Sequence, residues 1–448
     1  MEGSRRDPVH QKDTTVKSLD ANANALSRSS ARVTFILLFL LYMFDYIDRM
    51  VVVSLFPFLK RDWGLTDAHC GLLVSAVYWS ILLFTLPVSV LIDRWSRKKC
   101  IAWMSLAWGA ATLACAFVRN FPQLLVARTA IGIGEAGYAP GGTAMISALF
   151  PERNRARMLG IWNASIPLGS AIGIALGGLI AQHYGWRHAF GVVAAPGILV
   201  ALLFFFVRDY ETVALTQTVS DPQGSPRQVT LGLRDVVRQF AGNKTLIFNN
   251  LGFAANVFVT TALLAWLPTY FHRLDALPVD TASTKAATIM LLAIVGAPLG
   301  GFLADRWLRT QKRARMLFPF LSSLSTTLIL LAAFTLVRGP LQYAVLLLSG
   351  VTAVAFVPPA VSVTQDVVHP GLRAVSLSTN VVIQHVLGSA LGPPVVGAFS
   401  DAFGIETALM FLPAFTLAAA LLFLGGSFYY ERDTATVERI ELRMEESR

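Results

Sequence analysis

Five ionisable residues lie inside apolar stretches in the first third of the chain. Asp45, Asp48 and Arg49 fall in the first stretch, and Arg128 and Glu135 fall in the fourth. A charged side chain at the centre of a hydrocarbon layer costs at least about 2.5 kcal/mol. Such residues either bind or move charge, or form a static buried network that holds two helices together.

Helical spacing brings these groups close to one another. Asp45, Asp48 and Arg49 stand at i, i+3 and i+4, which places them on one face of a helix. Arg128 and Glu135 are two turns apart on a second helix. At the rise of an α-helix, Asp48 lies roughly 22 Å from one end of its stretch, and Glu135 lies roughly 21 Å from the opposite end of its own. The two carboxyl groups are therefore expected to meet at a common depth.

Two carboxyl groups beside two guanidinium groups can form a proton relay. Desolvation favours a neutral carboxyl group, whereas a nearby arginine favours the carboxylate. A carboxylate that loses its arginine to an anionic substrate would then take up a proton. We predict that Glu135 and Asp48 are the protonatable pair. Arg49 is then a counter-charge or a ligand of a substrate anion, and Arg128 orients Glu135. Asp45 either joins this cluster or faces water.

The second half of the chain carries few ionisable residues at a comparable depth. The clearest is His385, which is either a pH-sensitive substrate ligand or a histidine satisfied between helices. Amide side chains in the same half can also line a cavity. The candidates for a substrate cavity in this half are Asn249, Asn250, Asn256, Gln384 and His385.

The composition requires a bilayer around these residues. Hydrophobic residues make up 54% of the 448 residues and charged residues only 14%, whereas soluble domains carry about 25% charged residues. A helix needs about 20 apolar residues to cross the hydrocarbon core. Stretches of that kind fall near 33–59, 69–92, 99–118, 121–149, 156–182, 188–207, 245–272, 283–304, 315–337, 340–365, 372–399 and 406–429. The fold class predicted is an all-α membrane protein with about twelve transmembrane helices.

The basic residues indicate how this protein is oriented. The formal net charge is +10, but Lys and Arg lie in short loops and tails rather than on a face that would bind nucleic acid. They concentrate in the tails and in every second loop, which predicts that both termini are cytoplasmic. Residues 1–32 are polar and lack the apolar core of a cleavable signal peptide.

The chain also repeats itself. Ser89-Val-Leu-Ile-Asp93-Arg94 returns as Gly301-Phe-Leu-Ala-Asp305-Arg306, and Leu168-Gly-Ser-Ala171 returns as Leu387-Gly-Ser-Ala390. Two copies of a six-helix unit are typical of transporters with a site between pseudo-symmetric halves. The predicted organisation is a disordered cytoplasmic tail at 1–32, a six-helix bundle at 33–207, a cytoplasmic linker at 208–244, a second six-helix bundle at 245–430 and a cytoplasmic tail at 431–448.

The loop after the second stretch carries a known signature. Residues 89–98 resemble the G-x-L-x-D-R-x-G-R-K motif of the major facilitator superfamily, with serine at both glycine positions. The resemblance implies a cytoplasmic gate in which Asp93 accepts hydrogen bonds at a helix N-terminus and basic residues hold neighbouring helix ends. The alternative is a solvated basic turn. The gate residues implied are Asp93, Arg94, Arg97, Lys98, Asp305 and Arg306.

Within that superfamily the chain resembles the spinster-like transporters. The resemblance is carried by four blocks in order, Tyr46-Ile-Asp48-Arg49, Gly134-Glu135-Ala136-x-Tyr138, Arg155-Ala-Arg157-Met-Leu-Gly-Ile161 and Ile166-Pro167-Leu-Gly169-Ser170. It implies a proton-linked or facilitative carrier whose eukaryotic relatives handle sphingolipids and lysophospholipids. The substrate of this chain stays open between an organic anion and a lipid-like amphiphile.

Motifs for other chemistry are missing or are better explained by packing. Gly132-x-Gly134-x-x-Gly137 matches a dinucleotide fingerprint, but it lies inside an apolar stretch with no strand before it, so close helix approach is the better interpretation. Gly169-x₃-Gly173-x₃-Gly177 is likewise a surface for tight helix packing. No nucleotide-binding loop, nucleophile elbow or zinc-ligand spacing occurs in the sequence. We therefore expect no enzymatic activity, no cofactor and no metal.

These observations lead to one predicted function and two alternatives. We expect a monomeric secondary transporter in a bacterial inner membrane, working by alternating access and coupled to protons. Its partners are then the substrate, the proton and the surrounding lipids, with no nucleic acid. One alternative is a passive facilitator on the same fold. The other is a non-transporting membrane receptor or sensor.

Overall fold

The computed structural model describes residues 28–94, 96–207, 240–369 and 372–437. These residues form twelve helical spans and no strand. Most of the predicted terminal tails and of the predicted linker lies outside the described residues. The first helix begins at Arg28 and the last ends at Ala435, so both extend a little beyond the apolar stretches expected from the sequence.

The first six spans, α1 to α6, form the N-terminal half. Several are interrupted, and each segment has its own bounds. They are α1 (Arg28–Met50, a 3₁₀ turn Val51–Leu55 and Phe56–Trp63), α2 (Asp67–Arg94), α3 (Arg97–Cys115), α4 (Phe121–Glu135 and Tyr138–Leu149), α5 (Glu152–Asn163 and Ser165–Tyr184) and α6 (Trp186–Phe204).

The next six spans, α7 to α12, form the C-terminal half. They are α7 (Lys244–Leu274), α8 (Val279–Leu291 and Ala293–Leu308), α9 (Ala314–Leu331 and a π-helical turn Ala332–Leu336), α10 (Gly339–Ala355 and Val357–Asp366), α11 (Arg373–Gln384, a π-helical turn His385–Ser389 and Gly392–Phe403) and α12 (Ile405–Met410 and Leu412–Ala435).

The same helix pairs pack in both halves. The first helix of each half contacts the fifth and the sixth, so that α1 packs on α5 and α6, and α7 packs on α11 and α12. The second helix contacts the fourth, and the third contacts the sixth, in both halves. This equivalence confirms the pair of six-helix bundles that the sequence repeat predicts.

Most of the described spans satisfy the length and hydropathy expected of a membrane crossing. In the described part of the chain, nine helices are long and apolar enough to cross a membrane. The other three spans are α1, α3 and α4. The first helical segment of α1 and the helix α3 each carry three or more charged residues, and a turn at Ala136–Gly137 divides α4. The prediction of an all-α membrane protein is confirmed.

Small residues let α5 lie close against its neighbours. A Cβ atom on Gly169 would lie 2.3 Å from the carbonyl oxygen of Met43 on α1, and one on Gly173 would lie 2.7 Å from that of Ile47. Five residues beyond Gly173, a Cβ on Gly178 would lie 2.4 Å from the Ser283 hydroxyl oxygen on α8. The glycine stripe of α5 thus permits tight packing both within the N-terminal half and across to the other half.

The two halves meet at one end of the molecule. We call the end that contains Arg28 and Ala435 the terminal end, and the opposite end the distal end. At the distal end α2 packs on α11 and α5 packs on α8. A Cβ atom on Gly71 of α2 would lie 2.5 Å from the carbonyl oxygen of Pro393 on α11. The halves are therefore in direct backbone contact at the distal end.

Candidate functional site

Arg49 is the centre of the candidate site. Its Nη2 atom lies 2.9 Å from the Asp45 carboxylate on the same helix, and its Nε atom lies 2.8 Å from the Glu135 carboxylate on α4. All three side chains are buried. The i, i+4 pair predicted from the sequence does form on α1, and Asp45 does not face water. One arginine thus holds two carboxylates and ties α1 to α4.

Aromatic rings cover the rest of the Arg49 guanidinium group. Its central carbon lies 4.7 Å from the ring centre of Tyr46 and 5.9 Å from that of Tyr78 on α2. Tyr rings attract a cation over their faces. The same Tyr78 ring stacks on His385 of α11 with ring centres 5.8 Å apart. Arg49 is therefore connected through one ring to the C-terminal half.

Arg128 does not orient Glu135 as the sequence analysis predicted. Its three guanidinium nitrogens all donate to backbone carbonyls. Nε donates to Leu73 at 3.1 Å, Nη1 to Asp48 at 2.8 Å and Nη2 to Arg49 at 2.9 Å. The α-helical ladder of α1 ends at Met50 and continues as a 3₁₀ turn, which leaves carbonyls without helical partners. Arg128 fills that need, so its contacts are with the backbone of α1 and α2.

Asp48 stands apart from the ion pairs. Both of its carboxyl oxygens are buried, and neither has a hydrogen-bond partner among the described residues. The Thr112 hydroxyl of α3 lies next to it and is likewise without a partner that meets hydrogen-bond geometry. Asp48 is therefore outside the network of ion pairs that joins Arg49 to Glu135, and the role of the two carboxyl groups as a protonatable pair stays a prediction. Helical spacing alone did not show that Asp48 points toward α3.

The helix interruptions coincide with the charged residues. Arg49 is the last residue but one of the α-helical segment that precedes the 3₁₀ turn of α1, and Glu135 is the last residue of the first segment of α4. The glycines around Glu135 face other helices closely, since a Cβ on Gly132 would lie 2.1 Å from the Ser80 hydroxyl and one on Gly134 would lie 2.9 Å from Trp108. This confirms that the glycine motif serves packing. Broken helices around a buried site are typical of transporters.

The amide residues predicted for the C-terminal half fall into two groups. Asn249 donates to the carbonyl of Ala360 at 3.1 Å, and Asn256 donates to the Ser323 hydroxyl at 2.8 Å, so both serve packing within that half. Asn250 and Gln384 instead share Asn380, which donates to Asn250 at 2.9 Å and accepts from Gln384 at 3.3 Å. Asn380 was not predicted from the sequence as a site residue.

His385 follows Gln384 and opens the π-helical turn of α11. Its ring is partly buried, and its Nδ1 atom is buried without a hydrogen-bond partner. Interruptions of this kind in α-helices occur frequently at functional sites. The structure thus brings Asn250, Gln384 and His385 to one region of α7 and α11, and places His385 opposite Tyr78.

The predicted cytoplasmic gate lies at the terminal end. Asp93 and Arg94 are in the last turn of α2, and the side chains of Asp93, Arg94 and Arg97 lie outside the described part of the structure. Ser96 accepts a hydrogen bond from the backbone N–H of Lys99 and caps α3. Lys98 is partly buried, whereas Asp305 and Arg306 are exposed. The gate therefore stays a prediction.

A second charged cluster, at the distal end, was not predicted. Asp67 begins α2 and accepts hydrogen bonds from Arg273 of α7 and Ser400 of α11, at 2.6 to 2.7 Å. Lys60 of α1 also pairs with this carboxylate. An acidic residue at a helix N-terminus is an ordinary capping signal, so nothing in the sequence marked Asp67 as a contact between halves.

Comparisons with known proteins agree with this architecture. Residues 38–388 match the model of the Major Facilitator Superfamily. Protein spinster homolog 1 of Bos taurus is 28% identical over 422 residues, which cover 90% of this chain and 79% of that protein. The sphingosine-1-phosphate transporter SPNS2 of Mus musculus is 27% identical over 427 residues, covering 88% and 77%.

A solved structure shares the fold. It is a bacterial homologue of the human lysosomal transporter spinster, in an inward-facing and unoccupied conformation. The two structures superimpose with a TM-score of 0.79 at 22% identity, over 91% of this chain and 99% of that one. The likeness extends over both halves.

Proposed function

Because this chain belongs to the major facilitator superfamily and is similar to spinster transporters, we propose that it is a proton-coupled carrier. It moves an organic anion or a lipid-like amphiphile with an anionic headgroup by alternating access. The observation that carries the proposal is the buried ion pair between Arg49 and Glu135.

In this mechanism Arg49 can pair with either of two anions. Glu135 and an anionic headgroup would compete for the same guanidinium group, because both are acceptors for its N–H donors. A substrate that takes Arg49 leaves Glu135 buried without its counter-charge. A buried carboxylate without a partner is costly, so it binds a proton. Asp45 keeps Arg49 in place throughout, since it pairs from the same helix.

Asp48 provides the second proton site. Its carboxyl group is fully buried, and neither oxygen has a partner of good hydrogen-bond geometry among the described residues. A neutral carboxyl group tolerates such surroundings far better than a charged one. Arg128 holds the backbone of Asp48 and Arg49 together, so a change in the position of α1 acts on both residues at once.

The substrate site extends from Arg49 to α11. Tyr78 and His385 lie where the two halves face each other. The hydrogen-bonded amide side chains of Asn250, Asn380 and Gln384 extend this polar surface along α7 and α11. An anionic headgroup at Arg49 with the remainder of the substrate against α7 and α11 would contact both halves. The printed name of SPNS2, a sphingosine-1-phosphate transporter, supports an anionic amphiphile as the first substrate class to test.

The distal end is the extracellular side in this proposal. Lys and Arg concentrate in the tails and the loops of the terminal end, which favours cytoplasmic termini. Since the halves touch at the distal end, the conformation described is inward-facing. A bacterial inner membrane and a monomer are the expected setting.

Substrate-stimulated proton flux tests the proposal. The protein is reconstituted in liposomes that contain a pH-sensitive dye, and lysophospholipids, sphingoid-base phosphates and small carboxylates are added in turn. We expect a substrate-dependent pH change that Glu135→Gln abolishes and Asp48→Asn reduces. Glu406→Gln is the matched control, because Glu406 forms an exposed pair with Arg338 at the distal end. Full pH-dependent uptake in both Glu135→Gln and Asp48→Asn would show that the proton-coupling proposal is wrong.

A passive facilitator is the second candidate. This function is favoured by the ion pairs of Arg49, because Asp45 and Glu135 each already have it as a partner and neither needs a proton. The same liposomes distinguish the two functions. Substrate movement without any proton flux in the unmodified protein would identify the facilitator, and the charged cluster would then be a binding or structural network.

A further inference from the structure

The turn that divides α4 follows Glu135 directly and has a cause in the sequence. Pro140 stands four residues after Ala136. A proline inside a helix has no N–H for the carbonyl four positions before it, and its ring collides with that carbonyl. The helix therefore breaks at Ala136–Gly137 and resumes at Tyr138. The buried Ala136 carbonyl is left without the donor that a continuous helix would give it.

Thr85 of α2 supplies a donor to this carbonyl. Its hydroxyl oxygen lies 3.2 Å from the Ala136 oxygen and 2.6 Å from the Ile81 oxygen of its own helix. A hydroxyl group has one hydrogen to donate, so the two carbonyls share it. Bonding of threonine to the preceding turn of its own helix is common, whereas the contact with Ala136 joins α2 to the turn that follows Glu135.

The other neighbours of this turn lie on α3 and α1. On the α3 side, Gly134 and Tyr138 pack on the Trp108 ring, and the Trp108 and Tyr138 ring centres are 5.3 Å apart. On the α1 side, the Glu135 carboxylate lies 2.8 Å from the Arg49 guanidinium group. A displacement of the turn on α2 would therefore move Glu135 relative to Arg49.

The C-terminal half repeats the break but not the charge. Helix α10 is divided after Ala355, and Pro359 repeats the four-residue spacing found in α4. There α8 approaches the broken helix through Gly300, where a Cβ would lie 2.0 Å from the Ala355 carbonyl oxygen. The residue before Ala355 is Val354, where α4 carries Glu135. A hydroxyl donor thus faces the break in the half whose turn carries a carboxylate.

We propose that Thr85 is a positioning residue for Glu135. Its hydroxyl holds the Ala136 carbonyl, fixes the turn of α4 on α2 and so keeps the adjacent carboxylate against Arg49. A buried carbonyl without a donor is costly, so loss of the hydroxyl favours conformations in which the turn moves and Glu135 leaves Arg49. This inference rests on the carrier function proposed above, because it concerns the same ion pair, but its test does not need transport.

The reactivity of Glu135 toward an apolar carbodiimide reports its position. Dicyclohexylcarbodiimide adds to a protonated carboxyl group, and pairing with a guanidinium group protects a carboxylate from it. The protein is reconstituted without substrate or a pH gradient and treated for increasing times at one pH. Mass spectrometry of the digested protein then quantifies the adducts at Glu135 and Asp48. Asp48 is the internal control, because its buried carboxyl group points toward Thr112 of α3.

We expect Thr85→Val to accelerate the modification of Glu135 about fivefold, which corresponds to about 1 kcal/mol, the usual net contribution of one hydrogen bond. The modification of Asp48 should not change. Thr85→Ser keeps a hydroxyl at this position and should retain the rate of the unmodified protein. Thr129→Val is the matched control, since Thr129 of α4 donates to the Leu125 carbonyl of its own helix.

Pro140→Ala tests whether Thr85 acts through the Ala136 carbonyl. Alanine has the N–H that proline lacks, so it can give this carbonyl a helical donor. In the Pro140→Ala background, Thr85→Val is therefore expected to change the reactivity of Glu135 little.

Three results would overturn the inference. The first is equal reactivity of Glu135 in Thr85→Val and the unmodified protein. The second is equal acceleration at Glu135 and Asp48, which would show a general loosening of the N-terminal half. The third is the same effect of Thr85→Val with and without Pro140→Ala. Because no substrate is present, an absence of proton flux in liposomes would refute the proposed function and leave the modification result unaffected.

Discussion

At the scale of single residues, the two buried arginines have different roles. Arg49 pairs with two carboxylates, and in the proposed mechanism it exchanges one of them for a substrate. Arg128 donates only to backbone carbonyls, which neither titrate nor leave. A guanidinium group can serve three carbonyls at once because its donors point in fixed directions. Arg49 is therefore the candidate for transport chemistry, and Arg128 is a structural residue that positions α1.

Replacing Arg128 should cost stability rather than proton coupling alone. Arg128→Leu leaves the carbonyls of Leu73, Asp48 and Arg49 without these donors, and we expect a loss of about 3 kcal/mol in the free energy of unfolding. Chemical unfolding in detergent micelles measures it. Arg187→Leu is the control, because Arg187 donates to a single carbonyl near the surface. Equal stability of the Arg128 variant and the unmodified protein would refute this role.

At the scale of the elements, α5 packs closely on its neighbours because its glycines have no side chains. Its glycines bring it within contact of the α1 backbone at Met43 and Ile47, next to the segment that carries Asp45 and Arg49. Helices in a bilayer gain little from burying apolar surface, so they associate through close packing of this kind. The position of the charged cluster thus depends on a helix that contributes no charge to it.

Alanine at Gly173 tests that packing. Its Cβ would lie 2.7 Å from the Ile47 carbonyl oxygen and 2.9 Å from the Ile47 Cα, so α1 must move. We expect Gly173→Ala to lower the free energy of unfolding by about 1 to 3 kcal/mol. Gly160→Ala, on the first segment of α5 where a Cβ meets nothing within 4 Å, should be neutral or stabilising. Unfolding midpoints that fail to separate the two variants would contradict the argument.

At the scale of the whole molecule, the two halves share an architecture but not a chemistry. The N-terminal half holds the buried ion pairs of α1 and α4, while the described core of the C-terminal half around Asn250 and Asn380 is polar but neutral. Each half is tightly packed within itself, and the contacts between them are concentrated at the distal end. Movement of one half against the other therefore needs to break the distal contacts and leaves the bundles intact.

Gly71 offers a substitution that acts between halves instead of within one. A Cβ there would lie 2.5 Å from the Pro393 carbonyl oxygen of the other half. A reporter for separation of the halves is a cysteine in place of Ser283, which is buried on α8 against Gly178 of α5. We expect Gly71→Ala to raise its labelling by a charged maleimide several-fold, because separating the halves relieves the clash. Its unfolding midpoint should fall less than that of Gly173→Ala. Gly191→Ala, where a Cβ meets nothing within 4 Å, is the control. Unaltered labelling in Gly71→Ala would contradict this view.

The sequence by itself determined the membrane fold, the duplicated halves and the family. These follow from the length of apolar stretches, their number and the repeat of short motifs, all of which are local properties of the chain. It also identified the buried charges of α1 and α4, since ionisable residues in apolar stretches are conspicuous. The Asp45–Arg49 pair was accessible because i, i+4 neighbours meet in any helix.

Only the tertiary structure decided which partners these charges have. Arg128 donates to carbonyls of α1 that are free to accept because α1 changes helix type after Met50. The Asp48 side chain points toward Thr112 of α3. Asp67 and Arg273 are far apart in sequence and resemble ordinary helix-end charges, yet they meet across the halves. Helix rotation, helix breaks and the packing of one bundle on another set these contacts, and none of the three is encoded in a local pattern of residue types.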